Sequence, residues 1–491
     1  MAGFLTSVSA EQAPVVRPRM QVGMGLDIIH GEMARGMKGD IIINGGSPNL
    51  SGGTGIGNVG KTALALAIWA ITTHRYKNSS SRVFDGENTL ARSRLQNVFL
   101  HHGEAYGVTF DDWLEFENNA ERFTFQDRSV ISCSEHHNSI RKAVKDRLAN
   151  KKNLVETPFR DRDGTPMKYY DPHVEINDSF SAYTPDQVEA TRDKNEAGES
   201  GRNMEAMSNA RIKTQMLSEL LVDTAKGGVY YYMTAHLGEQ HALDPYKPPK
   251  EKLSALKAGL KMKDVPEKIT FYPGIFWWGY SSRPLLDANG KPFFPDPDND
   301  FQNEKKSVDL QEVLLVPLRN KSGTTGDFRS LILSQTRGII PSLTDFWNCM
   351  QHNRFGIMGK DGNPNNLIHF YLELYPDTPL TRQKVESKAN EDHRLRNALE
   401  HTSHLLDIYK YWSHIPEHWK CTPAELYTDL KEKGYDWGEL LDCRTYWTYD
   451  HYTNPVHGIS VIDMLRMRVG EYHPWWMEDL PNVKAETSET A

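Results

Sequence analysis

Cysteine is scarce in this chain and widely spaced. Cys133, Cys349, Cys421 and Cys443 form no C-x-x-C pair. A zinc ribbon and a disulfide framework are both excluded, and free thiols in a reducing compartment are expected. No apolar run approaches the roughly 20 residues that a membrane span needs. The first twenty residues lack the basic start and apolar block of a secretory signal. A cytoplasmic protein without membrane attachment is therefore expected. Net positive charge is missing too: the formal charge is -8, so any polyanionic partner would depend on local clusters of Lys and Arg. Internal repeats are absent, which excludes a solenoid.

What is present is a chain of 491 residues, enough for one large domain and a second. Residues 1–38 carry little periodicity and read as an N-terminal arm. GDIIINGG (39–46) reads as a buried strand, and 60–76 has helical spacing with Leu64, Ala67, Ile68 and Ile71 on one face. SRVFDGEN (81–88) is a strand ending in acids, followed by a helix over 90–100. RFTFQD (122–127) reads as a strand and HNSIRKAVKDRLANKK (137–152) as a basic amphipathic helix. RDRDGTPMKYYD (160–171) reads as a hairpin turning on Asp-Gly. VEINDSFSAY (174–183) is a strand ending at Asp178 and Ser179, a helix covers 204–226, and GVYYYMTAHL (228–237) is the next strand. Strands at 309–320 and 328–335 complete an alternating order. That order predicts an α/β fold over 39–344 with a mainly parallel central sheet. Residues 345–483, rich in Trp and Tyr, read as a mostly helical C-terminal region, and 484–491 as a disordered tail.

The strongest motif is Gly55-Ile56-Gly57-Asn58-Val59-Gly60-Lys61-Thr62, which fits G-x-x-x-x-G-K-[ST] between a strand and a helix. Backbone N–H groups of Gly55, Gly57, Asn58, Val59 and Gly60 would surround a phosphate at the helix start. Lys61 would reach the terminal phosphates, and Thr62 would offer its hydroxyl to Mg²⁺. The plainer reading is a strand-to-helix turn using glycine for its backbone freedom. A phosphate site of this kind needs carboxylates. Asp178 at the end of an apolar strand suits the metal. Glu87 suits activation of a water molecule, or, more plainly, a favourable position beside a helix N-terminus.

With these residues in place, the chain resembles RecA-type recombinases, in particular the divergent branch of large bacteriophages (UvsX-like), over about 20–340. VFDGENTLARSRL has the position of the family's "DAEH" strand end, and VEINDSFSAYTP resembles its Walker B strand "VDS-AALTP". YYYMTAHL resembles the strand carrying the nucleotide sensor, a role that falls to His236. RNKSGTTGDFRSLILSQTRGI (319–339) parallels the segment whose two basic residues reach a neighbouring subunit's ATP. The resemblance implies a RecA-like P-loop ATPase core with ATP and Mg²⁺ as cofactors. Glu87 and Lys61 would be catalytic, with Arg319 and Lys321 acting in trans.

Two DNA-binding loops are also implied, at about 186–203 with Arg192, Lys194 and Arg202, and at about 238–272 with Lys247, Lys250 and Lys252. The stretch 247–268 holds seven lysines against three acids, which is either a DNA-facing surface or a solvated helix face. The chain departs from the family in the longer span from Lys61 to Asp178. It also has Arg94 where an adenine-stacking aromatic is usual, a longer second loop, and no counterpart for the region after 345. The expected function is filament formation on single-stranded DNA with homologous pairing and strand exchange. The alternative is a RecA-fold hexameric helicase, and a third reading is a scaffold without catalysis.

Overall fold

The computed structural model describes residues 16–161, 163–194, 201–239, 256, 260–295, 309–360 and 368–478. In chain order, a short helix α1 (Leu26–Ile29) leads to an antiparallel pair, β1 (Glu32–Arg35) and β2 (Ile41–Asn44), then β3 (Leu50–Gly55) and α2 (Lys61–Arg75). β4 (Ser80–Asp85), α3 (Arg92–Glu104), α4 (Phe110–Asn118), β5 (Phe123–Asp127) and α5 (Cys133–Asn150) follow. The expected hairpin is β6 (Leu154–Arg160) with β7 (Pro166–Tyr170). Next come β8 (His173–Asp178), α6 (Asp186–Arg192), α7 (Gly201–Gly227), β9 (Val229–Glu239), β10 (Leu260–Met262) and β11 (Ile275–Pro284). The sheet ends with β12 (Leu310–Asn320), β13 (Arg329–Ser334) and β14 (Gly338–Ile339).

Ten strands form one sheet in the order β14-β13-β12-β11-β3-β9-β8-β4-β5, with β10 pairing β9. The run from β11 to β5 is parallel throughout, and the β12–β14 edge is antiparallel. The fold is therefore α/β with a mainly parallel central sheet. Both faces are covered, as such sheets require. On β9, Tyr232 joins the apolar layer of α2, α3 and α4, while Tyr231 and Met233 join that of α5 and α7. On β11, Trp277 faces the first layer, and Phe276 and Trp278 face the second.

Three sequence expectations need correction. GDIIINGG does contain a strand, but β2 pairs with β1 in a separate ribbon and does not lead into the phosphate-loop motif. The strand that does so is β3, LSGGTG, which its glycines hid. These glycines answer to their neighbours. A Cβ on Gly52 would lie 2.5 Å from both the Met233 carbonyl oxygen and the Phe276 ring, and one on Gly53 would lie 2.6 Å from the Tyr232 hydroxyl. The second correction concerns β11, absent from the strands read above, which supplies the other aromatic neighbour of β3. The basic helix also begins earlier than expected, at Cys133, because Ser132 and Glu135 form a capping box.

Of the first 38 residues, those described include Met20, Val22, Met24, Leu26, Ile28 and Ile29, all buried. Beyond the sheet lie α8 (Pro341–Gln351), a small sheet of β15 (Ile357–Gly359), β16 (Phe370–Leu372) and β17 (Tyr375–Leu380), then α9 (Val385–Glu391) and α10 (His393–Tyr411). α11 (Pro423–Glu432), α12 (Trp437–Asp442) and α13 (Val461–Arg468) are the last helices among the described residues. One apolar cluster joins these helices to Ile28, Ile43 and Ile332. Arg329 on β13 is held by Asp407 on α10 at 2.9 Å. Among the described residues no helix is long and apolar enough to cross a membrane.

Two predictions follow from this packing. Gly53→Ala forces a methyl onto the Tyr232 hydroxyl and is expected to destabilise by about 1–3 kcal/mol, read from the urea midpoint. Tyr232→Phe removes the colliding atom, whose hydroxyl is buried without a hydrogen-bond partner, so the double variant should recover most of the loss.

His74 is the second case. Burial pushes its pKa down to about 4, against an ordinary 6.5, so the folded chain refuses a proton that the unfolded chain accepts. Its contribution is full above pH 6.5 and is lost as pH falls toward 4. His74→Gln should therefore flatten the stability slope across that window by about 1.4 kcal/mol per pH unit.

Candidate phosphate-binding and acidic site

The C-terminal ends of the parallel strands converge because their registers align. Gly55 on β3 pairs with His236 on β9, and Asp85 on β4 pairs with Asp178 on β8. In an open parallel sheet this edge is where ligands are bound. The loop leaving β3 has left-handed backbone at Asn58 (φ 60°) and Gly60 (φ 75°). α2 starts at Lys61 with Gly60 as its N-cap, so its unpaired N–H groups and positive dipole end point to this edge. Ile56, Gly57 and Asn58 are exposed, and a Cβ on Gly57 would meet nothing within 4 Å. The loop thus has both the donors and the open space that a phosphate requires.

Lys61 curls over the loop, its Nζ donating to the carbonyl oxygens of Gly55 (2.9 Å) and Ile56 (2.7 Å). Burial lowers its pKa, while the charges of Asp178 and Glu87 raise it in partial compensation. The Thr62 hydroxyl donates to Asp178 Oδ2 at 2.5 Å, and Thr234 donates to the other oxygen. Burial raises the Asp178 pKa, opposed by these two hydroxyls. A hydroxyl and a carboxylate side by side are oxygen donors that suit a hard cation such as Mg²⁺.

Glu87 follows β4 in a turn fixed by Asp85, whose carboxylate accepts from the backbone N–H groups of Glu87 (3.0 Å) and Leu90 (2.6 Å). Glu87 Oε1 accepts from the Ser179 hydroxyl at 2.5 Å and from His236 Nε2. Burial alone would raise its pKa. The hydrogen bonds from Ser179 and His236, with the charges of His236 and Lys61, outweigh that and keep it below the ordinary carboxylate value. Glu87 is consequently an ionised acceptor at neutral pH.

Lys61, Thr62, Glu87, Asp178 and His236, proposed from separate stretches of sequence, therefore meet at one edge. Asp85 and Thr234 were missed as members of this site. The acid ending β4 and the position two before His236 on the same strand face were their only sequence signals. Arg94 donates to the Gln335 carbonyl just beyond β13.

Arg319 and Lys321 lie elsewhere. Arg319 pairs with Phe276, which pairs with Gly52, and the Lys321 N–H reaches the Gly274 carbonyl. Lys321 thus sits at the strands' opposite ends, about 15 Å of strand length from the chain's own loop. Its Nζ donates to the Tyr272 carbonyl at 3.1 Å. Of the basic residues in the first expected loop, Arg192 ends α6 paired with Glu205 at 2.7 Å, Lys194 is exposed, and Arg202 falls in the first turn of α7. Lys247, Lys250 and Lys252 lie outside the described residues.

Compared with models of known protein families and with curated protein sequences, the chain matches none.

Thr62→Val keeps the side-chain shape but leaves Asp178 Oδ2 without its donor. The expected cost is about 1–3 kcal/mol of stability, read by denaturant titration.

Proposed function

We propose that the chain is a DNA-dependent ATPase of RecA type. It would assemble on single-stranded DNA and promote homologous pairing and strand exchange. The observation that carries this reading is the meeting of Thr62 with Asp178, and of Glu87 with Ser179 and His236, beside a loop at the N-terminus of α2. ATP would lie with its phosphates on the loop, Lys61 on the outer phosphates, and Mg²⁺ between Thr62 and Asp178. Bound there, Mg²⁺ would neutralise charge on the phosphate oxygens.

Glu87 would orient and deprotonate the attacking water. His236, bonded to Glu87, would link the state of that carboxylate to β9 and to the residues that follow it. This route gives the nucleotide a physical path to the second expected DNA loop, which begins where β9 ends. Arg319 and Lys321 are too far from the chain's own loop to act there, but they fit a role at a neighbour's. Cations supplied across an interface would make hydrolysis depend on assembly.

Two measurements test the reading. Glu87→Gln should lower DNA-stimulated ATP hydrolysis by about 10²-fold or more while nucleotide still binds. Unchanged turnover would remove Glu87 from the reaction. Electron microscopy with a slowly hydrolysed ATP analogue and single-stranded DNA should show extended helical filaments. Closed rings would favour the helicase alternative, and isolated particles would refute assembly.

A further inference from the structure

Away from the loop edge, the densest set of buried ionisable groups lies where α1, α2, β13, α8 and α10 meet. Asp27, Asp345, Glu400 and Asp407 are all buried there, together with Arg75 and Arg329. Arg75 reaches Glu400 at 2.9 Å and Asp27 at 3.8 Å, while Arg329 reaches Asp407 at 2.9 Å and Asp345 at 3.8 Å. Four carboxylates thus crowd around two guanidiniums away from water. Uncompensated buried charge is strongly disfavoured.

Two further groups bear on this cluster. His401 and His404 on α10 are fully buried, and no ring nitrogen of either has a hydrogen-bond partner. Glu400 and His404 are four residues apart on a helix, so their side chains rise from the same face. Asp27 approaches them from α1. The ligand atoms of Asp27, Glu400 and His404 all lie within 4.8 Å of one another. His404 Nε2 is 3.8 Å from Glu400 Oε1, too far to hydrogen-bond. It is slightly wider than the roughly 3.3–3.6 Å that two ligands of one tetrahedral cation keep at bonds of about 2.0–2.2 Å, so the side chains would draw together on binding.

We propose that Asp27, Glu400 and His404 bind a divalent d-block cation of the zinc class, which fastens the N-terminal segment to the helical C-terminal region. Two carboxylates and an imidazole suit Zn²⁺ better than Mg²⁺ or Ca²⁺, which prefer all-oxygen shells. The carboxylates are oriented for the task. Asp27 accepts from the N–H groups of Val22 (2.7 Å) and Gly23 (2.8 Å), one on each oxygen, and Glu400 Oε2 accepts from Thr445 at 2.7 Å. Arg75 flanks the site and would share Glu400 with the ion. A cavity of about 450 Å³, lined in part by Gly23, Arg75, His102 and Glu400, borders the site on the Glu400 side.

The test uses tag-free full-length protein, stripped with a chelator and titrated with Zn²⁺, or with Co²⁺ for its visible absorption, in the absence of nucleotide. One equivalent should bind and raise the melting midpoint by several degrees. His404→Asn and Asp27→Asn should lose this binding, while Lys61→Ala keeps it, which separates the site from the phosphate loop. X-ray absorption of the unaltered Zn²⁺-loaded chain should show oxygen-dominated coordination with one imidazole, a reading that stands even where the variants fail to fold. A stripped wild-type chain whose midpoint Zn²⁺ leaves unchanged overturns the proposal. So does equal binding by folded His404→Asn protein.

Discussion

The close approach of three strands at the centre of the sheet governs much of this structure. β3 runs between β9 and β11, both of which carry large aromatic side chains. A Cβ at Gly52 or Gly53 would strike Phe276, the Met233 carbonyl or the Tyr232 hydroxyl. Glycine in β3 and aromatics on its neighbours are therefore one constraint seen from two sides. The intrinsic weakness of a glycine-rich strand is offset by its fully buried position, with aromatic surface packed over both faces. Because β3 is central and fixed, the loop that leaves it is fixed as well.

Register does the rest at the loop edge. Parallel pairing brings Gly55 beside His236, and Asp85 beside Asp178, so residues distant in sequence reach one edge without long side-chain excursions. The hydroxyls of Thr62, Ser179 and Thr234 then separate carboxylates that would otherwise repel. The same geometry puts Lys321 at the opposite ends of the strands, since β12 runs antiparallel to β11. Loop and basic pair therefore face different directions from a single sheet.

The region after 345 is joined to the sheet by charge as well as by apolar packing. Arg329 on β13 reaches α10 through Asp407, and Arg75 at the end of α2 reaches it through Glu400. The Trp412 indole N–H donates to the Ile28 carbonyl, and the Trp447 backbone N–H donates to Gln21. Here the tryptophans act mainly as packing groups with one polar tip satisfied. Removing one member of such a buried network leaves its partner's charge or donor exposed to an apolar interior. Its parts are thereby held in a single arrangement.

Local sequence determined a good deal. The spacing of apolar residues marked α2, α3, α7 and β8, β9, β12 and β13. The motif over Gly55–Thr62 marked the loop, and acids ending apolar strands marked Glu87 and Asp178. These signals are local because helix period, strand alternation and turn chemistry are properties of a few consecutive residues. Other features were not legible in this way. β3 and β11 escaped because their character comes from what lies across the sheet: glycine reads as a turn until aromatic neighbours explain it. Asp85 and Thr234 joined the site only through register. The buried carboxylates of Asp27 and Glu400, 373 positions apart, look like ordinary surface acids in sequence. Tertiary structure alone decided that they meet, because pairing between distant segments depends on how whole layers pack and not on the residues beside each one.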